Sequence, residues 1–272
     1  MRPLAEMPVE ARRGLRGVFC DIDDTITTEG RLEADAYAAL QRLAETGLAV
    51  VPITGRPAGW CDMIARFWPV AGVVGENGAF WFAYDRQGRR MRRAFAAPAA
   101  ERAENRRRLA ALGERILAAV PGSAIASDQL YREADLAIDF CEDVAPLGAD
   151  AVEAIVAMFR AEGATAKVSS IHVNGWFGAY DKLTTSRRFA AEVLGVDLDA
   201  ERERFVYAGD SPNDAPMFGF FPNACGVANV GDFIGRIEAL PAYVATRRGG
   251  GGFVEIAEAI LAARPPAVRR AG

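Results

Sequence analysis

Four short apolar runs in this chain each end abruptly in polar residues. The runs occupy residues 17–20, 48–53, 70–74 and 205–208, and the polar residues that follow them read DIDDT, TGR, GENG and GDSPND. Continuous apolar runs this short are typical of strands that are buried on both faces of a parallel sheet. Helical patterns at residues 32–44 and 253–263 fit the same alternation, so the sequence predicts an α/β fold with a doubly wound, mainly parallel sheet.

The middle of the chain departs from this alternation. Two predicted helices, at residues 99–120 and 149–161, are each followed by two short predicted strands, at 123–127, 134–140, 164–169 and 171–176. This order suits an antiparallel sheet backed by helices. We therefore expect residues 85–179 to form an inserted α+β domain, and residues 1–84 and 180–272 to form the core around it. A hairpin that turns at Gln87-Gly88 would lead into the insertion, and the glycines at 249–252 would form a flexible turn before the last helix.

Composition narrows the function classes that this chain fits. Its hydrophobic fraction of 51% is too high for a disordered protein, and its formal charge of −4 disfavours a protein that mainly binds nucleic-acid backbone. No run approaches the roughly 18 apolar residues of a membrane span, and the N-terminus lacks the apolar stretch of a secretory signal. The spacing of the four cysteines fits neither a zinc site nor a disulfide framework, so we expect buried reduced thiols. These cysteines are Cys20, Cys61, Cys141 and Cys225. We expect a soluble cytoplasmic protein, monomeric or a weak homo-oligomer, without a nucleic-acid or membrane partner.

Acidic residues follow the first and the last of the four apolar runs. Asp21 and Asp23 come after the first run, and Asp210 and Asp214 come after the last. In parallel sheets, ligands bind at the carboxyl ends of the strands, where these residues would lie. Carboxylates this close repel one another unless a cation lies between them or one is protonated, and hard oxygen ligands suit Mg²⁺. Taken alone, each motif also fits a turn whose acids cap a helix.

Thr54 and Lys182 are candidates for holding a phosphate group. Thr54 follows the second run, where its hydroxyl and the adjacent backbone N–H suit a phosphoryl oxygen. Lys182 follows the predicted insertion, and an ammonium there would offset a carboxylate or phosphate charge. Separately, a capping threonine and a solvated surface lysine explain these residues as well.

In this order, the motifs resemble those of the haloacid dehalogenase superfamily of phosphohydrolases. The resemblance rests on DIDDT, ITGR, Lys182 and GDSPND, and it extends over nearly the whole chain. Only 32 residues separate Asp21 from Thr54, so the large insertion comes after the third strand. That placement resembles the C2-capped IIB branch, which includes phosphatases of sucrose phosphate, trehalose phosphate and mannosyl-3-phosphoglycerate and the Cof-type sugar phosphatases. Asp24 departs from the pattern, since many relatives have Gly or Asn there; we expect it to be tolerated because this position mainly offers its backbone N–H.

The resemblance implies a Rossmann-like core with a cap, a Mg²⁺ ion and an aspartyl-phosphate intermediate. Asp21 would attack phosphorus, and the Asp23 side chain would protonate the leaving alcohol and later activate water. The metal ligands would be Asp21, Asp210 and the Asp23 carbonyl, with Asp214 near the ion or holding Lys182. The implied phosphate- and substrate-binding residues are Thr54, Gly55, Arg56, Lys182 and Asn213.

Several other residues are further candidates for the site. His172 is the only histidine, so a histidine-based triad is excluded. It lies with Asn174 and Trp176 on a predicted cap strand, where these residues could contact substrate or could be ordinary cap structure. Arg56 and Glu76 follow strands and would face the cleft.

The leading hypothesis is a Mg²⁺-dependent phosphatase that hydrolyses a phosphomonoester of a sugar or glycosyl-glycerate. Two other functions stay open at this stage. The aspartyl-phosphate could pass its phosphoryl group to another hydroxyl of a hexose phosphate, or the chain could be a non-catalytic binding protein on the same scaffold. The substrate is not fixed by the sequence, because the discriminating contacts belong to the cap.

Overall fold

The structure, a computed structural model, describes residues 1–169 and 171–264; the last eight residues of the segment 180–272 lie outside the described part. The helices are α1 (Val9–Gly14), α2 (Ala34–Glu45), α3 (Ala58–Phe67), α4 (Ala99–Ala119), α5 (Ala149–Ala161), α6 (Lys182–Phe189), α7 (Leu198–Glu201), α8 (Ala215–Phe220) and α9 (Gly249–Leu261). No helix in the described part is both long and apolar enough to cross a membrane.

The strands form three sheets and are numbered here in the order of the chain. They are β1 (Arg2–Pro3), β2 (Gly17–Cys20), β3 (Ala49–Pro52), β4 (Val73–Gly75), β5 (Phe80–Asp85), β6 (Arg90–Phe95), β7 (Ala124–Ile125), β8 (Leu136–Asp139), β9 (Thr165–Val168), β10 (His172–Trp176), β11 (Phe205–Gly209), β12 (Cys225–Gly226) and β13 (Tyr243–Val244). The two-residue strands β1, β12 and β13 are too short to give a hydrophobic pattern, so the sequence does not predict them.

The central sheet is parallel and buried on both faces. Its strand order is β1-β13-β12-β11-β2-β3, and all five pairings are parallel. Successive side chains of a strand point to opposite faces, and in β2 Val18 joins one hydrophobic cluster while Phe19 joins another. Leu40 of α2 and Phe253 of α9 lie in the first cluster, and Phe189 of α6 lies in the second. The predicted fold class, a doubly wound and mainly parallel α/β sheet, is confirmed.

The third apolar run does not continue the parallel sheet as predicted. Only Val73–Gly75 forms a strand, and it pairs antiparallel with β5, which pairs antiparallel with β6. A single parallel bridge between Ile53 and Val74 connects this three-stranded sheet to the end of β3. The reason is the tight turn over Glu76–Gly78, which returns the chain immediately and gives β4 an antiparallel partner.

Residues between α4 and β10 build a separate antiparallel layer. Its strand order is β7-β8-β10-β9, and all three pairings are antiparallel. Helices α4 and α5 begin where the sequence pattern predicts, and together with the strands they enclose a hydrophobic cluster that includes Leu112, Ile138 and Phe159. Strand β6 lies within residues 85–179 but hydrogen-bonds to β5 and not to this layer.

The four glycines at residues 249–252 form the first turn of α9, so the prediction of a flexible turn there is wrong. Close packing against the loop after β2 and against Arg247 accounts for the glycines at positions 250 and 252. A Cβ atom on Gly250 would lie 2.7 Å from the Ile26 carbonyl oxygen, and one on Gly252 would lie 2.3 Å from the Arg247 carbonyl oxygen. The Gly250 N–H donates to the Thr27 carbonyl, so the helix start anchors the loop that carries the first acidic motif.

Candidate active site

Three aspartates from two neighbouring strands converge at the carboxyl edge of the central sheet. Asp21 directly follows β2, and Asp210 directly follows β11, its hydrogen-bonded neighbour. Carboxylate oxygens of Asp21, Asp210 and Asp214 all lie within 4.8 Å of one another, and all three residues are buried. Burial raises the pKa of Asp21 to about 8, even though Lys182 opposes the shift. Burial and repulsion from Asp214 and Asp21 also raise the pKa of Asp210.

Lys182 supplies a positive charge to this cluster. Its Nζ lies 2.6 Å from Asp21 Oδ1 and 2.8 Å from Asp214 Oδ1, and its side chain is 3% exposed. Burial alone would lower the pKa of Lys182, but Asp21 and Asp214 together raise it above its ordinary value, so the lysine stays protonated. Lys182 is the first residue of α6, and the preceding Asp181 caps that helix by accepting a hydrogen bond from the Thr184 N–H.

Asp210 has a polar partner but no cationic one among the described residues. Its Oδ1 accepts a hydrogen bond from the Thr25 hydroxyl at 3.1 Å, and within the described residues it forms no ion pair with a lysine or arginine. The cluster therefore offers three buried carboxyl groups for one lysine. Oxygen ligands of this kind suit Mg²⁺. The residues present fit the ion that the sequence implies.

The Asp23 carboxylate lies in a different environment from that of Asp21. It lies outside the three-aspartate cluster and pairs with Arg56, with 2.9 Å between Asp23 Oδ1 and Arg56 Nη2. Arg56 also contacts the antiparallel layer, because its Nη2 lies 2.8 Å from Oε1 of Glu142. Arg56 therefore connects the core acid that sequence analysis assigned to proton transfer with an acid of the antiparallel layer.

The backbone around Thr54 holds the end of β3 in place. The Thr54 N–H donates to the Val74 carbonyl at 2.9 Å, and its hydroxyl accepts from the Arg56 N–H at 2.9 Å. Gly55 follows, and its carbonyl accepts a hydrogen bond from Arg132. Asn213 accepts a hydrogen bond from the Ser211 hydroxyl.

Core and antiparallel layer together enclose a small cavity at this point. It holds about 20 Å³ of free space, enough for roughly one water molecule. Its lining comprises Asp21, Asp23, Gly55, Arg56, Ser211 and Asn213 from the core, and Arg132, Ser169, Ile171, His172 and Asn174 from the antiparallel layer. His172 and Asn174 line the same cavity as Asp21 and Asp23, whereas Trp176 stacks on Tyr180 with 5.7 Å between ring centroids.

Glu76 joins the two layers and does not line this cavity, contrary to the expectation from its position after a strand. Its side chain is fully buried, and its carboxylate accepts hydrogen bonds from four backbone N–H groups. These groups belong to Ala58, Glu133, Ala134 and Asp135. The carboxylate thus anchors the start of α3 and the loop before β8 at one point.

Two residues of the site, Arg132 and Glu142, were not predicted from the sequence. Arg132 lies in the loop before β8, where Asp128 and Asp135 both pair with its guanidinium, and Glu142 lies in the turn after β8. Asp135 also accepts a hydrogen bond from the Asn174 amide at 2.9 Å. The only sequence signal was a group of charges between two predicted strands, which fits a solvated loop equally well.

Comparison with known proteins identifies the fold. Neither a scan of protein-family models nor a search of curated proteins finds a match. Among solved structures, a haloacid dehalogenase-like hydrolase from Bacteroides thetaiotaomicron is similar with a TM-score of 0.63 and 15% identity, covering 90% of this chain and 99% of that one.

Two sugar-phosphate phosphatases share this similarity. The sucrose-phosphatase from Synechocystis, solved with sucrose and phosphate, has a TM-score of 0.62 and 14% identity over 91% of this chain and 98% of its own. The C-terminal domain of trehalose-6-phosphate phosphatase from C. albicans has a TM-score of 0.67 and 11% identity over 93% of this chain and 95% of its own. The chain therefore has the fold of the haloacid dehalogenase superfamily.

Proposed function

We propose that this chain is a Mg²⁺-dependent phosphatase that hydrolyses a phosphomonoester of a sugar through an aspartyl-phosphate. The observation that carries the proposal is the convergence of Asp21, Lys182 and Asp210, which come from distant parts of the chain, in one buried cluster of side chains. A buried group of charges at a sheet's carboxyl edge is costly to fold and is typical of a functional site. The similarity to sucrose- and trehalose-phosphate phosphatases supports a sugar as the alcohol.

In the first half of the reaction, an Asp21 oxygen attacks phosphorus in line with the ester bond. A carboxylate–phosphorus bond forms, and the phosphorus–oxygen bond to the alcohol breaks with its electron pair going to that oxygen. Asp23 donates a proton to the departing oxygen. Lys182, held by Asp214, offsets charge on Asp21 and on the phosphoryl oxygens, and Thr54 with the Gly55 N–H binds those oxygens.

In the second half, Asp23 takes a proton from water while the water oxygen attacks phosphorus. The bond between Asp21 and phosphorus breaks, which releases inorganic phosphate and restores both aspartates. Arg56 holds the Asp23 carboxylate in position and keeps it oriented between the two half-reactions.

Asp21, Asp210 and the Asp23 carbonyl would hold Mg²⁺, and the ion would neutralise the repulsion between the carboxylate and the phosphate. Asp214 has a different role in this proposal. Its Oδ1 accepts from Lys182 and Tyr207, and its Oδ2 accepts from the N–H groups of Asp210 and Ser211. Four accepted hydrogen bonds suit a residue that positions Lys182 and the Asp210 loop.

Residues 85–179 would act as the cap in this proposal. The cavity of about 20 Å³ is smaller than a phosphate ester, so the cap must move away before a substrate enters. Its contacts with the core at Arg56–Glu142 and at Glu76 would then open and re-form in each cycle. Buried thiols at Cys20, Cys61 and Cys225 fit a reducing compartment such as the cytoplasm.

The test is phosphate release by the purified full-length chain from hexose phosphates, sucrose 6-phosphate, trehalose 6-phosphate and mannosyl-3-phosphoglycerate. We expect release with Mg²⁺ that stops when EDTA is added. Asp21→Asn should lose at least about 1,000-fold in rate, because it removes the nucleophile, while the exposed Asp150→Asn should keep full activity. Lack of magnesium-dependent release from every ester would contradict the proposal. Phosphoryl transfer between hexose positions with little free phosphate would instead show a phosphomutase.

A further inference from the structure

Each cationic side chain that serves the active site already has at least two carboxylate partners. Lys182 pairs with Asp21 and Asp214. Arg56 pairs with Asp23 and Glu142. Arg132 pairs with Asp128 and Asp135. Among the described residues that line the cavity, none therefore offers an uncompensated positive charge to the alcohol part of a substrate.

The space beyond the cavity is more acidic still. A groove of about 280 Å³ adjoins the cavity and shares Asp23, Arg56 and Ile171 with it. Its lining residues are Asp23, Asp24, Thr27, Glu29, Gly30, Arg56, Cys141, Glu142 and Ile171. Four of these side chains are carboxylic acids, and one is an arginine. Asp24 and Glu29 form no ion pair within the part of the chain that the structure describes.

An alcohol group larger than the inner cavity can extend into this groove, which adjoins the cavity at Asp23, Arg56 and Ile171. The cavity admits roughly one water molecule, whereas the groove is large enough for a sugar ring. Arg56 lines both spaces and pairs with Glu142 in the groove, so an alcohol that extends this way passes beside both side chains. Its substituents would then lie close to Asp23, Asp24 and Glu142.

Glu142 is held firmly in its position. Asp139 accepts hydrogen bonds from the N–H groups of Cys141, Glu142 and Asp143 and thereby fixes the turn after β8. The Glu142 carboxylate contacts Arg56 through Oε1 at 2.8 Å and lies 2.9 Å from His172 Nε2 through Oε2. The adjacent His172 ring, followed by the hydrogen-bonded Arg56 guanidinium, lowers the pKa of Glu142 to about 2, so the group stays ionised at neutral pH.

We infer that this site discriminates against phosphomonoesters whose alcohol part carries a carboxylate, and that Glu142 and Asp24 set this selectivity. The inference rests on the proposed phosphatase function and deepens it. A carboxylate in the groove would face several fixed negative charges and no unpaired cation, and unfavourable juxtaposition of like charges is costly in a partly desolvated site. An uncharged sugar does not meet this repulsion. The acceptable substrates are therefore phosphate esters of neutral sugars and not of glycosyl-glycerates.

The test compares two esters that share a six-carbon chain and a 6-phosphate, namely glucose 6-phosphate and 6-phosphogluconate. The full-length chain with Mg²⁺ should show a kcat/KM at least about tenfold higher for glucose 6-phosphate, since charges a few ångströms apart interact strongly at a protein surface. A ratio near one, or a preference for 6-phosphogluconate, would overturn the inference while leaving the phosphatase proposal intact. Absence of magnesium-dependent release from both esters and from the wider sugar-phosphate panel would overturn both.

Three variants assign the selectivity to its residues. Glu142→Gln and Asp24→Asn should each lower the ratio of the two kcat/KM values about threefold or more, because each removes one negative charge from the groove. Asparagine suits position 24, where φ is +56°, as well as aspartate does. Glu153→Gln, on the exposed side of α5, is the matched control and should leave the ratio unchanged. A merely structural role would lower both rates equally, so an unchanged ratio in both groove variants would refute the assignment.

Discussion

Lys182 Nζ lies 2.8 Å from Oδ1 of Asp214, and this contact joins the start of α6 to the loop after β11. Both side chains are almost completely buried, with 3% and 0% exposure. The other oxygen of Asp214 accepts the N–H groups of Asp210 and Ser211, so the same carboxylate also fixes the loop that carries Asp210. One buried pair therefore positions two parts of the proposed active site.

Replacement of Lys182 by methionine should damage both stability and activity. The variant leaves Asp21 and Asp214 buried without their cation, and breaking such a pair costs about 3–5 kcal/mol in the free energy of unfolding. Denaturant unfolding measures this loss, and phosphate release should fall by at least about 100-fold.

A double variant separates the charge effect from the loss of packing. Lys182→Met combined with Asp214→Asn should be more stable than the two single changes predict by addition, because the second change removes one of the stranded charges. Strict additivity of the two unfolding free energies would contradict an energetic coupling between these residues.

Gly78 places Lys182 through its backbone. Its φ is +108°, and a Cβ atom there would lie 2.1 Å from the Asp181 carbonyl oxygen and 3.0 Å from the Lys182 nitrogen. Gly78→Ala should therefore displace the start of α6, lower the free energy of unfolding by about 2 kcal/mol or more and reduce kcat. Chemical denaturation and steady-state kinetics measure the two effects.

Gly163→Ala is the matched control for this substitution. Gly163 also has a positive φ, of +75°, but no atom lies within 4 Å of the position of its Cβ. This variant should lose only about 1 kcal/mol and keep its kcat. Equal effects of the two alanines on kcat would show that close approach to Asp181 has no role in positioning Lys182.

The parts of the site that lie at the ends of apolar strands were predictable from the sequence. The runs that became β2 and β11 are continuous and short, which identifies buried parallel strands, and the position of Asp21 and Asp210 follows directly. Their parallel pairing brings the two acids to one edge. Lys182 was found only through its place in a set of motifs, because a single lysine before a helix has no distinctive pattern.

The residues that join the antiparallel layer to the core could not be predicted from the sequence in the same way. Arg132 and Glu142 lie in loops, where no hydrophobic period fixes the direction of a side chain. Glu76 follows a strand, as site residues do, yet its partners are four backbone N–H groups, three of them from a loop more than 50 positions away. Such pairings depend on how the two layers meet, which no local sequence pattern encodes.

Magnesium binding should become tighter as pH rises from 6 to 8. Burial raises the pKa of Asp21 to about 8 in the metal-free protein, so the folded state keeps a proton there that the unfolded chain has already lost. The stability that this proton contributes is complete at acidic pH and disappears as pH rises through about 8. Mg²⁺ needs the carboxylate, so at pH 6 its binding must displace the proton and is weakened.

A thermal-shift series with and without Mg²⁺ measures this dependence. The magnesium-induced rise in Tm should be larger at pH 8 than at pH 6, and Asp210→Asn should abolish most of it. Equal shifts at the two pH values would contradict a protonated Asp21 in the metal-free protein. An undiminished shift in Asp210→Asn would locate the ion elsewhere.

Removal of the Glu76 carboxylate should loosen the cap from the core. Glu76→Ala leaves four buried N–H groups without an acceptor, at Ala58, Glu133, Ala134 and Asp135. Because each unsatisfied buried donor costs about 1–3 kcal/mol, we expect the free energy of unfolding to fall by at least about 3 kcal/mol. Amide hydrogen exchange should also accelerate at residues 133–135 before it does in the central sheet, since the cap contact opens locally. The exposed Glu114→Ala, on α4, should stay within about 0.5 kcal/mol of the parent chain, and similar unfolding curves for the two variants would mean that the N–H groups find other acceptors.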